Sequence, residues 1–349
     1  MKKLAQDLIN RMPQLTVQKA AKTSMANARG NQPFIKKTIL DLPRTDSGSS
    51  SAITMGAGPS IHRRDSIGQI SKSNYGGLII AADGALGHCL RGGLVPGYVI
   101  SLDPGPIATG ADRMLRWFGD PGLTREKLDR DDYFRRQDLD IYLGERELER
   151  NQEMIELVNH HGPSIKAIMA TTAPPALTER VVEAGMDLYW WNPLFDDFSD
   201  PSSISAQMYQ MNKVPCMVSG GNCGAAAWVF AHAVLGLPEV AMVGMDFSYA
   251  PETPINKTPY YKEIEEIFGE KAEDAFIDML NPQIGETWFT DPTYYWYRQS
   301  FLDMAVKANC LTYNCTEGGI LFGDGVKCIS LEEFIETQGQ TESSGRAKG

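Results

Sequence analysis

Three acids pose the chemical question. Asp83, Asp103 and Asp246 each follow an apolar run: Leu78–Ala82, Tyr98–Leu102 and Val240–Val243. An acid at a strand end can orient a ribose or sugar hydroxyl, hold a hard cation against phosphates, or take a proton from an acceptor hydroxyl. Aspartate is also favoured there simply as a cap of the next turn or helix. Capping explains one such acid. Asp83 and Asp103 together, next to a glycine turn, favour a ligand edge. A fourth acid, Glu317, lies on the turn Asn314-Cys315-Thr316-Glu317-Gly318-Gly319.

Two glycine turns accompany these acids. In Gly56-Ala57-Gly58-Pro59-Ser60, two glycines leave a short apolar run and a proline stands where a helix would begin. Glycine permits close backbone approach, and proline suits a first helical turn. A helix start presents free N–H groups and a positive dipole end, so this turn is expected to cradle an anion, with Ser60 adding a hydroxyl. It lacks the third glycine of the dinucleotide fingerprint and the lysine of a P-loop, and a plain strand-to-helix turn remains the alternative. Ser219-Gly220-Gly221-Asn222-Cys223-Gly224 opens an alanine-rich helix. It suits either a second anionic group or close packing of helix on sheet. Five histidines form no HExxH, and His62 lies within reach of a phosphate at Ser60. No GxSxG is present, so a hydrolase nucleophile elbow is not expected.

The positioning elements follow from periodicity. Strands are expected at 52–55, 78–82, 98–102, 165–170, 187–191, 214–218, 240–243 and 311–314, with helices at 61–70, 85–91, 173–184, 222–235 and 293–308. Continuous apolar strands alternating with helices predict an α/β, Rossmann-like, mostly parallel sheet covered on both faces. Right-handed crossovers put the strand carboxyl ends on one edge, where ligands bind. Residues 1–50 read as an N-terminal helical appendage and linker, and 51–335 as the main domain. Within it, 111–160 read as a charged helical insertion able to cap the crevice. Residues 336–349 read as a flexible tail.

The net charge of −11 argues against general nucleic-acid or anionic-membrane binding. Bound phosphate must therefore be held locally. No apolar run approaches the roughly 18 residues of a spanning helix, and the first residues lack a signal-peptide apolar region. The six cysteines form no CxxC pair, so free thiols in a reducing, cytoplasmic setting are expected rather than zinc. An oligomer stays open.

The motifs GAGPSIHRRDSI at 56–67, LIIAADGALGHCLRGGLVPGYVISLDPG at 78–105, SGGNCGAAAWVFAHAVLGLPEVAMVGMDFSY at 219–249 and NCTEGG at 314–319 resemble the 6-hydroxymethylpterin diphosphokinase MptE-like family, which includes the motility accessory factor glycosyltransferases. The resemblance implies a transferase using a nucleotide-activated donor. In the glycosyltransferase branch the donor is a CMP-linked nonulosonic acid, similar to sialic acid, and the acceptor a serine or threonine. In the pterin branch, Mg²⁺ and ATP transfer pyrophosphate to 6-hydroxymethyl-7,8-dihydropterin. Asp83-Gly84-Ala85 looks like the pterin branch. Ser101–Gly105, the insertion, the Gly-Gly-Asn helix start and Thr-Glu-Gly-Gly look more like the glycosyltransferase branch, which is the reading preferred. A non-catalytic nucleotide-binding relative is a third. The expected donor-binding set is Gly56, Gly58, Pro59, Ser60, Asp83, Gly84, Gly220, Gly221 and Asn222. Asp83 and Asp103 are the candidate Mg²⁺ ligands, and Asp246, Glu317 and Asp103 the candidate catalytic acids.

Overall fold

The computed structural model describes residues 6, 8–9, 21–43, 49–105, 113–130 and 143–346, with the backbone alone at 143–145 and 339–346. Strands β1 (Ser51–Met55), β2 (Leu78–Ala82), β3 (Tyr98–Ser101), β4 (Lys166–Ala170), β5 (Asp187–Pro193), β6 (Cys216–Met217), β7 (Glu239–Val243), β10 (Leu311–Asn314) and β11 (Lys327–Cys328) form one sheet. Between β7 and β10 in sequence comes a separate antiparallel hairpin of β8 (Ile277–Asn281) and β9 (Glu286–Thr290). The sheet order is β11-β10-β7-β1-β2-β3-β4-β5-β6. Every pairing within it is parallel. The α/β class and the expected parallel sheet are what the chain adopts.

Strand alternation divides the core between two faces. Ile53, Met55, Ala81, Ala241 and Val243 meet the helices at Ser60–Arg63, Ser66–Lys72 and Leu331–Arg346. Ala52, Ile80, Ile100, Val240 and Met242 face the helices at Cys223–Val229 and Pro292–Ala305. Ala225, Ala226 and Ala227 are fully buried in that second layer. Their small side chains let the helix approach the sheet closely, and larger ones would overpack it by about 1–3 kcal/mol.

Several elements depart from the periodicity reading. The helix expected at 61–70 breaks where Asp65 takes a left-handed φ of 49°. The one expected at 222–235 ends in a π turn at Phe230–Val234. The β8–β9 hairpin and the helices at Ile204–Asn212 and Tyr261–Phe268 have no counterpart in the expectation. β8 alternates in exposure rather than forming a continuous apolar run, so it carries no buried-strand signature. The described part of the insertion is helical at Arg113–Trp117, Arg125–Arg130 and Leu143–His161. Leu4 and Met12 of the expected first helix, most of the linker, and 131–142 lie outside the described residues. The helix at 21–31 docks on the end of β4: Asn31 Nδ2 donates to the carbonyls of Thr171 and Ala173. The segment expected as a tail from residue 336 starts within the helix Leu331–Arg346. Among the described residues no helix is long and apolar enough to cross a membrane.

Candidate functional site

The strand order reverses direction at β1. From there the chain steps through β2 to β6 on one side and returns to β7 on the other. Crevices at such switch points, outside the strand carboxyl ends, are where doubly wound sheets bind ligands. A cavity of about 520 Å³ lies here. Its wall joins the turns that follow β1, β2, β3, β6 and β7, and includes Gly56 to Pro59, Asp83, Gly84, Asp103, Gly221, Asn222 and Asp246. These residues, singled out from sequence, are brought together by the fold.

The turn after β1 is pressed against the turn after β7. Gly56 N–H donates to the Val243 carbonyl at 2.7 Å, and Gly58 N–H to the Gly244 carbonyl at 2.9 Å. A Cβ at Gly56 would stand 2.5 Å from the Gly244 oxygen, and one at Gly58 2.0 Å from Asp246 Oδ2. Both glycines are thus demanded by backbone approach between two loops. The remaining amides are also committed. Ser60 N–H reaches Asp246 Oδ2 at 3.4 Å, Ile61 N–H donates to Gly58, and His62 N–H to Pro59. Pro59 has none, which leaves the exposed Ala57 as the turn's remaining amide. The Ser60 hydroxyl donates to Asp246 through a short hydrogen bond, and Ser60 does not line the cavity. The expectation that Ser60 and the helix start hold a phosphate is therefore corrected. A buried carboxylate already occupies the helix start, because β7 delivers Asp246 to it.

Asp246 is only 2% exposed. Burial pushes its carboxyl up to about 7, against the lowering pull of Ser60 and Arg63. Asp83, also 2% exposed, opens the helix Asp83–Arg91. Its carboxylate accepts from Ser101 Oγ at 2.8 Å, Cys223 Sγ at 3.3 Å and Gly84 N–H at 2.8 Å. Burial first, and the neighbouring Asp103 charge second, push it up to about 6. Asp103 is raised by burial and held back by the Arg113 guanidinium, whose Nη2 is 3.6 Å from Asp103 Oδ2. The Asp103 side chain keeps 40% of its surface accessible, on the cavity wall. Two mutually repelling carboxylates fit a hard cation, which would relieve the repulsion. Asp103 has the accessible oxygens for this, while those of Asp83 are largely satisfied by protein donors. Among the described residues no three His, Cys, Asp or Glu side chains converge as a metal cluster.

On the opposite turn, Asn222 caps the helix Cys223–Val229 by accepting from Ala225 N–H at 2.9 Å. Gly220 and Gly221 have φ of 62° and 84°. A Cβ at Gly224 would stand 2.2 Å from Met245 Sδ. The close-packing alternative for this turn is realised at Gly224. Gly221 and Asn222 reach the cavity, whereas Gly220 does not line it. Cys223 also lines it, but burial and the adjacent Asp83 raise its thiol far above the usual range, so it is a neutral donor rather than a nucleophile.

Glu317 is not brought to the cavity. Its Oε2 accepts from Leu331 N–H at 3.3 Å at the start of the last helix, a capping use of a turn acid. His62 is exposed and packs edge-on against His88 at 4.5 Å. Conversely, Arg113, Arg116, Trp117 and Glu147 of the insertion line the cavity, as do Tyr249, Tyr260, Tyr294 and Tyr297. Sequence reasoning missed the arginines. Their three-residue spacing puts both on one face of a short helix, which is the signal available. Tyr249 donates a short hydrogen bond to the fully buried Asp291, which caps the helix Pro292–Ala305 through Thr293 and Tyr294 N–H.

No curated protein matches this sequence. A solved structure, titled "Structure of MAf glycosyltransferase from Magnetospirillum magneticum AMB-1", matches in fold with a TM-score of 0.54 and 16% identity. The match covers 93% of this chain and 41% of that one, so this chain spans well under half of its neighbour's length. Residues 26–193 match the family described as 6-hydroxymethylpterin diphosphokinase MptE-like, a stretch holding the first glycine turn, Asp83, Asp103 and the insertion arginines. Over that stretch, slightly under half of the chain, the sequence is similar to the MptE-like family, in line with the resemblance of its motifs.

Proposed function

We propose that this protein is a transferase that takes a nucleotide-activated donor, and that it is a glycosyltransferase using a CMP-linked, sialic-acid-like sugar. The observation that carries the reading is the switch-point cavity. One space of about 520 Å³ is bounded by three strand-end acids, two glycine turns and two arginines. That volume is in the range of pockets that enclose a small organic ligand. The fold shared with a structure titled a MAf glycosyltransferase supports the same reading.

The residues divide the work by chemistry. Asp83 is held by Ser101 and Cys223 and is suited to orienting hydroxyls of ribose or sugar. Asp246, at about 7, has the basicity of a general base near neutral pH and serves an acceptor hydroxyl. Positioning and stabilisation of the departing phosphate supply most of the acceleration. Thermal-shift titration with CMP, CDP and CTP tests this: a raised midpoint with CMP is expected, and indifference to all three refutes the cytidine donor.

The Asp83–Asp103 repulsion favours a second reading, ATP-dependent pyrophosphate transfer to a hydroxymethyl-dihydropterin. In it Asp103, with Asp83 behind, would hold Mg²⁺, which would neutralise phosphate charge. AMP release from ATP only when the pterin is supplied is its signature. No AMP above background removes it.

A further inference from the structure

The cavity wall is rich in acids and poor in free amides. A phosphate entering the cavity meets Asp83, Asp103, Glu147 and Asp246. The glycine turn that should offset it has given its donors to Val243, Gly244 and Asp246, save at Ala57. Among the described residues, the cationic side chains on the cavity wall are Arg113 and Arg116. We propose that these two arginines, carried by the insertion helix Arg113–Trp117, are the phosphate-binding site of the cavity, in place of the glycine turn. This rests on the phosphate-bearing donor proposed above and names the residues that would hold it.

Geometry supports the placement. Gly84 marks where helix and turn meet: a Cβ there would stand 3.2 Å from Ala57 Cβ and 3.4 Å from the Trp117 ring. The insertion helix therefore borders the first turn, and Ala57, Arg113 and Arg116 line the same cavity. The Arg113 guanidinium lies over the Trp117 ring, 5.1 Å from its centroid. Its contact to Asp103, at 3.6 Å, is longer than the roughly 2.7–2.9 Å of a charge-assisted hydrogen bond. Arg116 is held by Glu147 at 2.9 Å with its side chain only 8% exposed. It is a fixed charge in the wall, and Arg113, at 27%, is the more accessible of the two. The insertion is thereby part of the donor site rather than a solvated excursion.

The test separates phosphate from nucleoside. Binding of CMP, cytidine, ATP, adenosine and inorganic pyrophosphate is measured by titration calorimetry on the full chain and on Arg113→Gln and Arg113→Lys. The expected result is a preference of at least about tenfold for nucleotide over its nucleoside. Arg113→Gln removes most of that preference with nucleoside affinity unchanged, since a charge-assisted hydrogen bond is worth about a factor of ten. Arg113→Lys retains part of it, because the charge stays and the fork is lost. Equal weakening of nucleotide and nucleoside, or no weakening, overturns the proposal. If neither CMP nor ATP binds the unaltered chain, the donor readings fall. Pyrophosphate then decides the subsite: arginine-dependent binding upholds it, and absence of binding overturns it. Should Arg113→Gln fail to fold, Arg113→Lys decides alone, with an unchanged CMP-to-cytidine ratio counting against the proposal.

Discussion

Replacing Asp246 by asparagine isolates the buried carboxylate at the heart of the site. Burial moves this group from the usual value of 3.8 to about 7. A raised folded-state pKa means the native state holds the proton more tightly than the unfolded chain. The associated stability is complete below the unfolded value, near pH 4, and is lost as pH rises through 7. At about 1.4 kcal/mol per unit the full loss is about 4 kcal/mol, of which about 2.5 kcal/mol falls between pH 5 and 8. Asparagine cannot ionise, so Asp246→Asn has a stability curve flatter by that amount over the same window. Its amide oxygen still accepts from Ser60 Oγ, while its NH₂ faces Ser60 N–H and costs about 1 kcal/mol at every pH. Asp83, Asp103 and Asp291 are also raised. They are unchanged in the variant, so they largely cancel in the difference. Urea unfolding at pH 5, 6, 7 and 8 reads the effect directly. Parallel curves for the two proteins would refute the claim that Asp246 is ionised at a cost within the fold. Transfer activity should fall about 10²–10⁴-fold in the same variant if Asp246 is the base.

Gly58→Ala should destabilise the chain by about 1–3 kcal/mol, because its Cβ meets Asp246 Oδ2 at 2.0 Å and the Gly244 oxygen at 2.6 Å. Chemical denaturation measures this, and a loss below about 0.5 kcal/mol would show that the two turns do not need such close approach. Tyr249→Phe removes the hydroxyl donated to the fully buried Asp291. It should cost about 1–3 kcal/mol, with the loss growing as pH rises, since Asp291 loses one of the donors that support its charge and keeps the helix-cap amides and the Thr293 side chain. A pH-independent loss would mean the tyrosine acts by packing alone.

The parallel sheet and the strand-end acids are legible in the sequence because their signals are local. An apolar run, a glycine turn and a following helix start are read from residues a few positions apart, and the crossover rule places the strand ends on one edge. Asp83, Asp103, Asp246, Gly221 and Asn222 are accordingly found together. What those residues do there depends on partners that no local pattern names. Ser60 looks like a phosphate donor until β7, 186 residues away, brings Asp246 to its hydroxyl and amide. Glu317 resembles the other strand-end acids until the last helix claims its carboxylate as a cap. Arg113 and Arg116 look like part of a solvated charged stretch until the insertion folds back beside Ala57 and Gly84. Each amide, hydroxyl and carboxylate can satisfy only a few partners once water is excluded. Sequence therefore determines that the strand-end turns share this edge, and the tertiary structure decides which other groups join them, which the protein consumes and which it leaves for a ligand.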